Sequence, residues 1–170
     1  MPDITPALRQ QLAAIYDQVM WLSRQPGTTA GNARAWYTHV MAEKVKRQIR
    51  RFSGFVSQAA SSAESSPLCL EHPKRIQTTL TALVERHNKT NTVLPEEFIQ
   101  TVVECETVHI VTVEENAAAK QANGDYGKAR IVLLKWESLL PSRRKDLWSK
   151  MLRGKVANAQ AYAPSPNEAV

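Results

Sequence analysis

Apolar residues recur every three or four positions along most of this chain, which is the period of a helix buried on one side. Thr5 and Pro6 supply a capping hydroxyl and a proline suited to a first helical turn. Leu8, Leu12, Ile15, Val19 and Leu22 follow as one stripe, stopped by Pro26-Gly27. A second, longer helix is expected over about 33–60, with Tyr37, Met41, Val45, Ile49, Phe52 and Val56 on its inner face and Gly54 as a weak point. A third is expected from His72-Pro73 through Ile76, Leu80, Leu83 and Val84 to His87-Asn88. A fourth starts at Pro95 and turns Phe98, Ile99, Val102 and Val103 inward. The last is expected over Ser142–Leu152, around Leu147, Trp148, Met151 and Leu152, with Gly154 ending it.

The period changes in three places. Residues 67–70 suggest a short strand. Val108–Val113 is β-branched and nearly continuous, as in a strand covered on both faces. Arg130–Trp136 is a further apolar strand. Between the last two, Thr112 and Glu115 have the Thr-x-x-Glu spacing of a capping box, and Asn123-Gly124 suits the end of a short helix. The strand–helix–strand unit over 108–136 fits either a parallel right-handed crossover or an antiparallel pair. The expected fold is α+β and predominantly helical, with about six helices around a small two- or three-stranded sheet. One globular domain over 1–156 is expected, with an internal hinge at 61–67 and a flexible tail over 157–170.

Composition narrows the class. The chain has 170 residues, 43% of them hydrophobic, enough for a core. No apolar run approaches the roughly 20 residues that cross a bilayer, and the N-terminus lacks a secretory pattern. A cytoplasmic protein without membrane contact is therefore expected. Cys69 and Cys105 lack metal-ligand spacing and read as ordinary thiols. Nucleotide-binding glycine loops, nucleophile elbows and HExxH are absent.

The net charge of +6 is unevenly spread. Residues 34–51 hold six basic residues and one acid, and so do residues 141–155; residues 90–119 hold six glutamates and no Lys or Arg. The expected nucleic-acid contacts are Lys44, Lys46, Arg47, Arg50 and Arg51 in the first block, and Arg143, Arg144, Lys145, Lys150 and Arg153 in the second, with DNA favoured over RNA. The competing class is a non-enzymatic adaptor or regulatory protein that binds another protein, with the acidic region over 96–115 and the basic blocks on separate surfaces.

Groups able to do chemistry concentrate at Glu71, His72, His109, Glu114, Glu115 and Asn116. Converging carboxylates and an amide suit a divalent cation, and a histidine beside them suits a general base. The same residues have a plain alternative. His72 can be a helix-boundary residue, His109 a half-buried strand histidine, and Glu114 and Glu115 complements of a helix N-terminus. His39 and His87 read as surface or helix-end residues.

Glu71-His72, an asparagine at 88 or 91, the strand over 108–113 and Asn116 together resemble the HNH, or ββα-metal, nucleases over residues 67–122. The chain departs from that family's pattern: Pro73 follows His72 directly, and about 35 residues separate the two strands. The resemblance implies an endonuclease using Mg²⁺ or Mn²⁺, with His72 as catalytic base and Glu71, Glu115 and Asn116 as metal ligands.

Overall fold

A computed structural model describes residues 4–62 and 66–165. In chain order its elements are α1 (Pro6–Ser23), α2 (Ala30–Ala35), a π-helical stretch (Trp36–Met41), α3 (Ala42–Ile49), β1 (Arg51–Ser57), α4 (Gln58–Ser62), β2 (Leu68–Glu71), α5 (Ile76–Thr90), α6 (Pro95–Cys105), β3 (Thr107–Thr112), α7 (Val113–Gln121), β4 (Leu133–Lys135) and α8 (Pro141–Leu147). A second π-helical stretch, Trp148–Leu152, prolongs α8, and Ala159–Tyr162 forms a 3₁₀ turn. The fold is α+β and mostly helical. Among the described residues, no helix is long and apolar enough to cross a membrane.

The chain divides into two compact units. The physical reason is two separate cores. The first unit takes residues 1–49 and 74–106, and the second takes 50–73 and 107–170. Of the hinge expected over 61–67, residues 63–65 lie outside the described residues.

Among the described residues, the regular elements of the first unit are all helices. Leu8, Leu12, Ile15 and Val19 of α1 meet Leu80 and Val84 of α5 and Phe98 and Val102 of α6 in one core. Thr5 caps α1 as its sequence predicts, accepting from the Leu8 N–H at 3.2 Å, with Pro6 at the first helical position. Helix α5 starts at Ile76, later than expected. It continues past His87 to Asn91, whose left-handed conformation (φ 50°) ends it.

His87, read from sequence as a surface or helix-end residue, lies in the last turn of α5 and is buried. Its Nδ1 lies 2.8 Å from the Tyr16 hydroxyl, and its Nε2 lies 2.8 Å from a Glu97 carboxylate oxygen. The Tyr16 oxygen also accepts the Leu94 N–H at 3.1 Å. The tautomer with hydrogen on Nε2 satisfies all three partners, since Tyr16 then donates to Nδ1 and Nε2–H donates to Glu97. That bond, with help from Arg86, holds the Glu97 carboxyl below its ordinary pKa.

The second unit holds a mixed sheet of order β2-β3-β1-β4, four strands where two or three were expected. Strand β1 runs parallel to β3 and antiparallel to β4, while β2 runs antiparallel to β3. The strands read as a strand–helix–strand pair, β3 and β4, are therefore not neighbours, because β1 lies between them. Strand β1 also replaces the second half of the long helix expected over 33–60. Phe52 and Val56 are four apart, which places them on one side of a helix, but an even spacing does the same in a strand. Gly54 at φ +85° cannot continue a helix. Pairing runs Phe52↔Val108 and then Val56↔Ile110, so Ser53, Gly54 and Phe55 bulge out of the ladder.

The inner face of the sheet packs Phe52, Val56, Val108 and Ile110 against Trp136, Leu147 and Leu152. Two residues of the segment expected as a flexible tail over 157–170, Asn158 and Tyr162, contact β1. The Asn158 side chain accepts from the Phe52 N–H at 2.8 Å and donates to the Phe52 carbonyl at 2.9 Å. Tyr162 meets Phe52 and Trp136 edge-on. Residues 166–170 of the expected tail lie outside the described residues.

Candidate functional site

Alternation along β3 turns Val108 and Ile110 to the core and His109 to the other face of the sheet. Glu71 sits directly opposite His109 in the β2–β3 register. The bulge in β1 aims the Ser53 hydroxyl at the same histidine, with Oγ 2.5 Å from Nδ1. Tyr126, from the turn after α7, donates its hydroxyl to Glu71 Oε2 and sets its ring edge-on to the imidazole at 5.6 Å. Phe55 approaches the imidazole edge-on at 5.9 Å. Burial among these rings lowers the His109 pKa to about 4. The imidazole is neutral near pH 7. Glu71 is only 2% exposed, and its Oε1 has no hydrogen-bond partner.

The other carboxylate singled out from sequence, Glu115, serves a second group of residues. It closes the expected capping box: the Glu115 N–H donates to Thr112 Oγ1 at 3.1 Å, and the Thr112 N–H donates to Glu115 Oε2 at 3.0 Å. The same oxygen accepts the Ser57 hydroxyl at 2.5 Å, and Ser57 Oγ accepts the Ala60 N–H at the start of α4. Glu115 thus joins the N-terminal turns of α7 and α4.

The two carboxylates of the predicted metal set make separate hydrogen bonds. Glu71 binds Tyr126 and Glu115 binds Ser57, each in its own hydrogen-bond group. Among the described residues, no three His, Cys, Asp or Glu side chains lie where they could hold a metal ion together. His72 and Asn116 are half-buried and Glu114 is exposed. The asparagines proposed for the nuclease loop do other work in the first unit, where Asn88 accepts the Ser23 hydroxyl at 3.1 Å and Asn91 ends α5.

The basic residues divide by role. Lys44 and Arg47 are exposed on α3, and Lys46 pairs with Glu43. Arg50 and Arg51 do not extend that helix row, because both are half-buried at the entry to β1. In the second block Arg143 is structural. It donates to the carbonyls of Ala60 and Ser61 at 2.6 and 3.1 Å, closing the end of α4, and to Asp146 at 2.7 Å. Arg144 is half-buried. Lys145, Lys150, Arg153 and Lys155 are exposed. Lys150 pairs with Asp146 at 2.7 Å, and the Arg153 guanidinium lies over the Trp148 ring at 5.7 Å.

Comparison with protein-family models, curated proteins and solved structures returned no match.

Ser53, Ser57 and Tyr126 were missing from the sequence-based site. The two serines fell inside the expected helix, and Tyr126 in an expected turn. The one local signal for the serines was the Ser-Gly pair at 53–54, which favours a break in a strand over a helix interior.

Proposed function

We propose that this protein binds nucleic acid, DNA in preference to RNA, through the exposed cations of α8, the π-helical stretch after it and the turn that follows, Arg153 to Lys155. One observation carries the reading: Lys145, Lys150, Arg153 and Lys155 all face solvent within eleven residues, alongside the single acid Asp146. Their frame is rigid. Leu147 and Leu152 are fully buried, and Arg143 fastens the helix to α4. Cations on a fixed frame meet phosphates at lower ordering cost and release condensed counterions on contact. The binding reading includes no catalytic step, because the carboxylates assigned to a Mg²⁺- or Mn²⁺-dependent nuclease are engaged separately. Incubating plasmid with either ion, with His72→Ala alongside, tests that finer reading.

The test of binding is an anisotropy titration of a labelled duplex at 50 and 200 mM salt. Affinity is expected to fall with salt, and Lys145→Gln and Arg153→Gln are each expected to shallow the log–log slope by about 0.9. No binding at 50 mM salt, or a slope unchanged in both variants, refutes it.

A further inference from the structure

We infer that the first unit carries a stacking groove for single-stranded nucleic acid, formed by Trp21 and Trp36. The inference rests on the nucleic-acid reading above and adds to it the class of strand recognised and a second place of contact. Trp21 is 63% exposed and Trp36 is 36% exposed, unusual for the largest apolar side chain. Together with Gln18 and Leu22 they line one open groove of about 210 Å³. The Trp36 ring is held in place, because its indole N–H donates to Gln18 Oε1 at 2.9 Å. A fixed indole face offers a planar ligand contact area without ordering cost.

Charge selects the occupant. Along the helix Trp36, Val40 and Lys44 follow at four-residue spacing, beside the buried row that includes Tyr37 and Val45, and Arg47 lies three positions beyond Lys44. Arg24 follows Trp21 by three positions at the end of α1 and is exposed. The acids nearby are Asp17, one turn before Trp21, and Glu43, which Lys46 neutralises. Exposed indoles on helices that carry the exposed cations Arg24, Lys44 and Arg47 suit a chain that alternates flat bases with phosphates, and bases in a single strand have free faces to stack. A duplex hides those faces, so the groove distinguishes the two forms.

The experiment titrates the full chain with a dT oligonucleotide and, separately, with a duplex of equal length, following tryptophan emission and anisotropy. The dT strand is expected to quench emission. Trp21→Ala and Trp36→Ala are each expected to weaken dT binding by roughly 5- to 150-fold and to leave duplex binding unchanged. Trp36→Phe, which keeps a ring and guards against a folding artefact, is expected to recover most of the loss. Unchanged dT affinity in both alanine variants overturns the groove, while duplex binding that still depends on Lys145 and Arg153 leaves the broader reading standing. Equal losses on dT and duplex also overturn it, as does a change of oligomeric state with no change in dT affinity. Failure of the unaltered chain to bind either ligand overturns both readings.

Discussion

Replacing Tyr126 with Phe removes one hydroxyl and keeps the ring against His109. That hydroxyl is the hydrogen-bond donor to Glu71, whose Oε1 is already without a partner in a residue only 2% exposed. The variant leaves both oxygens of a buried carboxylate unmatched. A hydrogen bond to a charged group contributes about 1.5–3 kcal/mol, and a stranded buried charge costs at least as much, so a loss of about 2–3 kcal/mol is expected. With urea slopes of about 1–3 kcal/mol/M for small domains, the unfolding midpoint should drop by roughly 1 M. Glu71→Leu removes the carboxylate altogether and lets the half-buried tyrosine hydroxyl turn to solvent. It is expected to cost less than Tyr126→Phe, and the double variant should be no less stable than Glu71→Leu alone. Urea unfolding followed by tryptophan fluorescence reads all three, because Trp136 sits in the core of that unit. A midpoint for Tyr126→Phe within 0.2 M of the parent, taken as about the resolution of such curves, would show that Glu71 is solvated or otherwise matched. The reasoning would then fail.

Further predictions follow from other buried polar groups. His109 has its pKa lowered to about 4 by burial, so folding disfavours its protonated form. Its contribution is present above the ordinary histidine value of about 6.5 and is lost as pH falls toward 4, on the order of 3 kcal/mol at most. His109→Gln should flatten the stability profile in that window, and an unchanged slope would contradict the assignment. Tyr16→Phe strands His87 Nδ1, while water can reach the Leu94 N–H, so a loss of about 1–3 kcal/mol in thermal or urea unfolding is expected. Nitrogen shifts of His87 should report hydrogen on Nε2 in the parent, and hydrogen on Nδ1 would refute the relay. Gly54→Ala forces a side chain into φ +85° and places its Cβ 3.3 Å from the Tyr162 hydroxyl, so a cost of about 1–2 kcal/mol is expected. A neutral result would mean that the bulge can rearrange.

What was legible in the sequence was local. Thr5-Pro6, Pro95 and the Thr112–Glu115 box are fixed by residues within one turn of each other, and all three open helices as expected. Strand β3 was legible because its β-branched run has one good solution. Strand β1 was not, because Phe52 and Val56 satisfy both periods and only the sheet partners decide between them. The polar groups were illegible for a different reason. Tyr16 and His87 are 71 positions apart, Glu71 and Tyr126 are 55 apart, and Ser53 and His109 are 56 apart. No local rule pairs them. Glu71 and Glu115, chosen for chemistry, each take a hydroxyl partner from far along the chain, Tyr126 and Ser57.

The strand order carries a consequence for synthesis on the ribosome. Strand β1 has β3 and β4 as its neighbours, and β2 is bonded to β3, so every sheet partner of the first two strands is encoded after residue 106. The nascent chain therefore makes β1 and β2 early and holds them with open edges while α5 and α6 are translated. Unpaired edges of that kind recruit other strands. A chain released near residue 106 keeps them open for good, so premature termination there should yield aggregates, whereas a stop after Tyr162 should leave the sheet complete.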